Sequence, residues 1–233
     1  MTATALVDLV VLDIAGTSVQ EGGAVYLALQ EAVEAAGGRP DAGDLATWMG
    51  ADKREAITAL VCCGVPGSDV PSADRVETIY TDFRNRLLDA YRRRPPVPVA
   101  GVPETITTLR RHGVRVALTT GFSRDVTDPL LEGLGWQDGF VDAVITVEDV
   151  PAGRPMPYLV FRAMERTGTA DVRRVLVAGD TTRDLEAGTN AGAGFVVGVL
   201  TGGHDHRTLG AQRHTHLLDS AARITELVLP ADR

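Results

Sequence analysis

The chain is expected to fold as an α/β protein: a doubly wound, Rossmann-like parallel sheet core with an α-helical cap domain inserted after its first strand. Three features predict this. Leu9-Val10-Val11-Leu12 is a continuous apolar run, β-branched at its centre, which suits a strand covered on both faces. From Gly101 onward, short apolar runs alternate with segments of helical spacing, the order that builds a parallel sheet. Between these two regions, residues 18–95 carry helical patterns and no convincing strand. The expected division is residues 1–17 and 99–233 for the core and 18–98 for the helical cap with its hinges.

Taken in order, the first strand ends in a carboxylate, Asp13, and Gly16-Thr17 turns the chain out of the sheet. Val25, Leu29, Ala32, Val33 and Ala36 predict a helix from Ala24 to Ala36, stopped by Gly37-Gly38. Leu45 to Met49 leads into Gly50-Ala51-Asp52-Lys53, where Asp52 can cap a helix running through Ile57 and Leu60 to Cys63. A long helix is expected from Ser72 to Tyr91. Arg92 to Val99 cannot continue it, because each proline lacks a donor and restricts the residue before it, so this stretch is expected to be a hinge. In the core, helices are expected at Pro103–His112, Ser123–Leu134, Tyr158–Thr167 and Asp184–Ala191. Strands are expected at Val114–Leu118, Val141–Ile145, Arg174–Ala178 and Phe195–Leu200, with a short edge strand at Thr215–Leu218 before a last helix.

Composition narrows the class. The 233 residues are 44% hydrophobic and 23% charged, ordinary for a globular chain, and the length allows one large domain or a core with an insertion. The formal charge is −8 with no basic run to track a phosphate backbone, which argues against nucleic-acid binding. The N-terminal apolar run has no basic lead-in and breaks at Asp13, so neither a signal peptide nor a membrane span is expected. Cys62 and Cys63 are adjacent, a poor geometry for a bridge, and no further Cys or His pair completes a zinc site. They are read as reduced core residues of a cytoplasmic protein. Lys53 is the only lysine; every other one of the 23 basic residues is Arg. A lysine can supply a neutral amine, whereas a guanidinium stays charged.

Four strand ends carry chemically apt residues: Asp13, Thr120-Gly121, the Gly153-Arg154-Pro155 loop, and Asp180 with Asp184. Parallel topology brings strand ends to one edge, where open α/β sheets bind ligands. Asp13, Asp180 and Asp184 offer hard oxygen ligands suited to Mg²⁺. Uncompensated, such carboxylates repel one another by several kcal/mol at an effective dielectric of about 20, and a divalent cation removes that cost. Arg154 and the hydroxyl and amide of Thr120-Gly121 can hold an anion such as a phosphoryl group.

These residues resemble the motifs of the haloacid dehalogenase superfamily over nearly the whole chain. Asp13-Ile14-Ala15-Gly16-Thr17 is similar to its first motif, Thr120 to its second, Arg154 to its third, and Gly179-Asp180-Thr181-Thr182-Arg183-Asp184 to its fourth. The resemblance implies Asp13 as a nucleophile that forms an aspartyl-phosphate. It also implies Mg²⁺ held by Asp13, the Ala15 carbonyl and Asp180, with Asp184 assisting. Phosphatases of the superfamily have a second Asp two positions after the nucleophile, to protonate the leaving alkoxide. Position 15 is Ala, so general-acid help worth roughly 10²–10⁴-fold is missing.

Ala15, the Gly153-Arg154-Pro155 loop and Met49-Gly50-Ala51-Asp52-Lys53 together resemble the phosphonoacetaldehyde hydrolase (phosphonatase) branch, whose cap lysine forms a Schiff base with the substrate aldehyde. An imine draws the electrons of a C–P bond away as an enamine, a leaving group that needs no proton from position 15. The absent acid and the lone lysine thus have one explanation. The resemblance implies Lys53, Thr120 and Arg154 as catalytic partners of Asp13. It places Ala15, Gly16, Thr17, Met49, Gly121 and Phe122 against the substrate. The pattern departs from that branch at three places: Ala56 stands for a His, Phe122 for a Tyr and Gly23 for a Cys.

His204-Asp205-His206 and His214-Thr215-His216 lack the fixed spacing of a metal site; a substrate-side role for His204 or His206, replacing the missing cap His, is the better expectation. Three activities fit these residues: C–P bond hydrolysis, which leads; phosphate-monoester hydrolysis, against which Ala15 argues; and a phospho-acceptor regulatory domain, against which the helical insertion argues. The expected partners are a small phosphonate or phosphate and, as an option, a second copy of the chain.

Overall fold

The fold was analysed in a computed structural model that describes residues 5–65, 67, 69–137 and 139–230. In chain order the elements are β1 (Leu9–Asp13), β2 (Val19–Gln20), α1 (Ala24–Ala35), α2 (Ala42–Thr47), α3 (Lys53–Leu60), α4 (Ala73–Arg93), β3 (Val97–Pro98), α5 (Val102–Arg111) and β4 (Arg115–Thr119). They continue with α6 (Arg124–Gly133), β5 (Ala143–Ile145), α7 (Tyr158–Thr167), β6 (Val175–Gly179), α8 (Thr182–Ala191), β7 (Phe195–Val199), α9 (His206–Gly210), β8 (His216–Leu218) and α10 (Ile224–Val228).

Six strands form one parallel sheet in the order β5-β4-β1-β6-β7-β8. The chain builds outward from β1 to β5, then returns to β1's other side and builds outward again, which makes the sheet doubly wound with a crevice beside β1. Side chains alternate along β1. Val10 and Leu12 join the apolar cluster that includes Ile106 and Leu109 of α5, Val126 of α6 and Ile224 of α10. Leu9 and Val11 join the cluster that holds Leu159, Val160 and Ala163 of α7. Both faces are therefore covered, as the continuous apolar run requires.

The segment between β1 and α5 carries α1 to α4. Val76, Ile79, Tyr80, Phe83, Leu87 and Tyr91 form one buried stripe along α4 at helical spacing. They continue the cluster that contains Leu29 and Val33 of α1 and Ile57 and Leu60 of α3. The expectation of no strand in this region is corrected: β2 and β3 pair antiparallel, Val19 with Pro98 and Gln20 with Val97. Two-residue strands leave no periodic pattern, and Pro98 is tolerated because the ribbon is all edge. The short helices α2 and α9 were not expected either. Each starts at an aspartate cap, Asp41 and Asp205, whose side chain accepts a backbone N–H. Cys62 and Cys63 are half-buried against the core rather than within it. Among the described residues no helix is long and apolar enough to cross a membrane.

Candidate active site

The sheet register decides what meets Asp13. Asp13 pairs with Thr119, and Leu12 pairs with Ala178, so Asp180 emerges two residues beyond that rung. Asp13, Asp180 and Asp184 come together with one oxygen of each within 4.8 Å of the others, and all three are buried. Asp180 is fixed from both sides: Thr17 Oγ1 donates to Oδ1 at 2.9 Å, and the Gly203 amide donates to Oδ2 at 2.7 Å. Gly16 has φ +90°, and a Cβ there would lie 2.4 Å from Asp180 Oδ2, so the turn after β1 requires glycine on both counts. Helix α8 begins two residues earlier than expected because Thr181 and Asp184 form a capping box. The Thr181 amide donates to Asp184 Oδ2 at 3.1 Å, leaving Oδ1 for the cluster.

One guanidinium serves this carboxylate group. Arg154 Nη1 donates to Asp13 Oδ1 at 2.7 Å and lies 3.0 Å from Asp184 Oδ1, while Nη2 donates to Thr119 Oγ1 at 2.8 Å. Among the described residues no hydrogen bond reaches Asp13 Oδ2. Burial pushes the Asp13 carboxyl well above its usual range; Arg154 opposes that shift, and Asp184 and Asp180 add to it. Burial, with Asp184 beside it, raises Asp180 to about 6. Burial also works against the charge of Arg154, but Asp184 and Asp13 outweigh it and leave its pKa raised.

Fully ionised, the three carboxylates would exceed the one guanidinium bonded among them by two negative charges in a buried site. The donor set is all oxygen. Hard ligands with this excess charge fit a divalent cation, and the raised carboxyl pKa values are what such a group shows without one.

Opposite the carboxylates, α3 starts at Lys53, with Asp52 capping through the Arg54 and Glu55 amides. Lys53 is 4% exposed. Its Nζ donates to the Ala51 carbonyl at 2.8 Å and sits 5.3 Å from the centroid of the Phe122 ring. Burial lowers its pKa from 10.5 to about 8; Asp52 and Asp13 work against that shift, and Arg154 and Arg183 work with it. The loop before α3 is pressed onto the loop after β4. A Cβ on Gly121 would lie 2.5 Å from the Ala51 carbonyl oxygen, so no larger residue fits. Thr120 Oγ1 accepts the Phe122 amide at 3.1 Å, which shapes the same loop. Met49 touches the other wall: a Cβ on Gly203 would lie 2.9 Å from its sulfur.

At the positions where the branch pattern departs, Ala56 is fully buried on α3 and Gly23 stands before α1 with φ +80°. His204 Nδ1 accepts the Thr182 amide at the start of α8, 3.1 Å away. His206 is exposed at the start of α9.

Several residues at the site escaped sequence reasoning. Thr119 accepts from Arg154, a partnership that the sequence did not disclose beside the neighbouring Thr120. The Tyr26 hydroxyl on α1 accepts the Gly50 amide at 3.3 Å and lines a cavity of about 210 Å³ with Ala15, Gly16, Asp180 and Gly203. Tyr26 read simply as part of a helix. Arg183 donates to the carbonyls of Arg154 at 3.1 Å and Thr47 at 3.3 Å, and stacks over Trp48 at 4.9 Å. It ties the third and fourth motif segments to the helical insertion.

The doubly wound sheet, the carboxylates at its strand ends and the helical insertion define a hydrolase of the haloacid dehalogenase type. Residues 7–192 match the haloacid dehalogenase-like hydrolase family, and the chain belongs to it. Within that family it is related to phosphonoacetaldehyde hydrolase. It is 32% identical over 133 residues to the phosphonoacetaldehyde hydrolase of Bacillus thuringiensis, a match covering 57% of this chain and 50% of the relative. The chain thus spans about half the length of the curated relatives it matches. A hydrolase from Pseudomonas syringae shares the fold with a TM-score of 0.80 at 19% identity, covering 94% of this chain and 97% of its own. A phosphonoacetaldehyde hydrolase-like protein from Oleispira antarctica does so with a TM-score of 0.77 at 19% identity, covering 97% and 94%.

Proposed function

We propose that this hydrolase cleaves the C–P bond of phosphonoacetaldehyde or a related aldehyde-bearing phosphonate, with Asp13 as nucleophile and Lys53 as the Schiff-base amine. The observation that carries the reading is the state of Lys53. The chain's only lysine is buried, faces the carboxylate cluster from the helical insertion, and has its pKa lowered to about 8. A structural lysine gains nothing from such a position; an amine that must be neutral to attack a carbonyl does.

In this mechanism the Lys53 amine adds to the substrate aldehyde and loses water to give an iminium. Asp13 Oδ2 attacks phosphorus, and the C–P bonding pair moves into the iminium to give an enamine. Water then hydrolyses the aspartyl-phosphate, and the protonated enamine is hydrolysed to release the aldehyde and restore Lys53. Arg154, oriented by Thr119, favours the ionised form of Asp13 against its burial, and Thr120 and Gly121 shape the loop against the transferred group. Ala15, Gly16, Met49 and Phe122 line the substrate, whereas Thr17, fully buried, acts behind them by holding Asp180. Mg²⁺, held by Asp13, Asp180, Asp184 and the Ala15 carbonyl, would neutralise the excess carboxylate charge and that of the phosphoryl oxygens. In this reading residues 18–98 act as a cap over a core made of 1–17 and 99–233, and Lys53 reaches the substrate when the cap is seated.

The test is a steady-state comparison of phosphonoacetaldehyde with a panel of phosphate monoesters, run with Mg²⁺ and again after chelation. The reading expects metal-dependent phosphate release from the phosphonate at a kcat/KM well above that for any ester. Preferential ester hydrolysis would replace it with a phosphatase reading.

A further inference from the structure

Ser123 holds the N-cap position of α6, with the extended backbone (φ −82°, ψ 168°) of a capping residue, yet its side chain caps nothing. A serine in that place ordinarily accepts a backbone N–H of its own helix. Here its hydroxyl, on a residue only 2% exposed, is turned toward the helical insertion. Arg54 Nη1 of α3 donates to Ser123 Oγ at 3.2 Å. Ser123 Oγ lies 2.6 Å from the Tyr80 hydroxyl of α4, which donates to Asp125 Oδ1 at 2.8 Å. With Tyr80's single proton given to Asp125, the bond between the hydroxyls runs from Ser123 to Tyr80. The result is one directed chain, Arg54 to Ser123 to Tyr80 to Asp125, in which each hydroxyl accepts once and donates once.

The chain is anchored at both ends. Arg84 Nη1 donates to Asp125 Oδ2 at 3.2 Å. Arg54 is held by Glu77 and lies 3.7 Å over the Tyr80 ring. Arg54, Tyr80 and Arg84 belong to the insertion, whereas Ser123 and Asp125 belong to α6. The register matters. Arg54 directly follows Lys53, and Ser123 directly follows Phe122, the residue whose ring sits beside the Lys53 amine. Two neighbouring residues on one side therefore meet two neighbouring residues on the other.

We propose that Ser123, Tyr80, Asp125 and Arg54 form a clasp that seats the insertion on α6 and thereby positions Lys53 over the carboxylate cluster. These are positioning residues, and the proposal rests on the reading of Lys53 as the reacting amine. The diverted cap is its mark: a helix cap is given up for a bond across the interface.

The test needs no substrate: it reads only how readily a small external aldehyde reaches the Lys53 amine. Reductive methylation with formaldehyde and cyanoborohydride, at one fixed pH, labels only Lys53 and the N-terminal amine, and the latter serves as the internal reference. Tyr80→Phe keeps the ring and removes the hydroxyl; Ser123→Ala removes a hydroxyl that caps nothing. Each should raise Lys53 labelling relative to the N-terminus by roughly tenfold, the scale of one lost buried hydrogen bond. Melting temperatures serve as the fold check, and either variant suffices if the other does not fold. A contact that merely added stability would lower Tm and leave Lys53 protection at assay temperature unchanged. Wild-type labelling rates in a folded variant would overturn the clasp while leaving the Schiff-base reading intact. That reading is tested separately by trapping with substrate.

Discussion

The two halves of the active site are built by different means. The carboxylate half rides on strand ends: Asp13 and Asp180 are placed by the backbone ladder of β4, β1 and β6, and Asp184 by the first turn of α8. The amine half rides on helices. Among the described residues no backbone–backbone hydrogen bond joins residues 24–93 to the sheet or to its covering helices. What crosses are side-chain bonds, such as Arg54 to Ser123, Tyr80 to Asp125 and Arg183 to Thr47, together with apolar contact. Charge stabilisation needs fixed geometry and sits on the sheet. On the proposed reading, the amine that is desolvated once substrate is in place sits on the part joined to the sheet by side chains.

The largest expected effect breaks the fixed half. Asp13→Asn should lower turnover by at least roughly 10⁴-fold, because an amide cannot attack phosphorus, and should leave the far-UV spectrum unchanged. Near-native turnover in this variant would remove Asp13 as the nucleophile.

The second prediction separates the halves through stability. Lys53 has a folded pKa of about 8 against an ordinary 10.5, so over that interval the unfolded chain binds the proton more readily. The cost of burying the amine is therefore fully present below pH 8 and disappears as pH rises through 10.5. Lys53→Met should lose C–P cleavage and gain roughly 1–3 kcal/mol of stability near neutral pH, a gain that shrinks at alkaline pH. Urea unfolding at two pH values measures it; a gain independent of pH would assign the effect to packing. The smallest effect sharpens the chemical contrast. Ala15→Asp should raise phosphate-ester hydrolysis by about tenfold, below the full value of a positioned acid because the surrounding site is not built for it. An unchanged ester rate would place the determinant on the insertion side.

The same contrast governs what the sequence disclosed. Asp13, Arg154, Asp180 and Asp184 were legible because strand ends are local signals and parallel topology gathers them at one edge. Lys53 stood out because it is the only lysine, and the structure finds it buried. Thr119, Tyr26, Arg183 and the Tyr80–Ser123 pair were not legible, since each acquires its role from a partner remote in sequence. Arg154 lies 35 residues from Thr119, and Tyr80 lies 43 from Ser123. Ser123 was visible only as the first residue of a helix, and nothing local to it showed that its hydroxyl reaches across the interface. The ribbon of β2 and β3 was hidden because two residues cannot show a period of two.

The central claim is that the amine of Lys53 bonds covalently to the substrate while Asp13 takes the phosphoryl group. Borohydride added during incubation with phosphonoacetaldehyde, followed by mass spectrometry of the peptide containing Lys53, tests it directly. Inactivation together with a reduced adduct on that peptide, and loss of C–P cleavage in Lys53→Arg despite its retained charge, is the predicted result. An unmodified Lys53 peptide from enzyme that is turning over, or a Lys53→Arg variant that still cleaves the C–P bond, would contradict it.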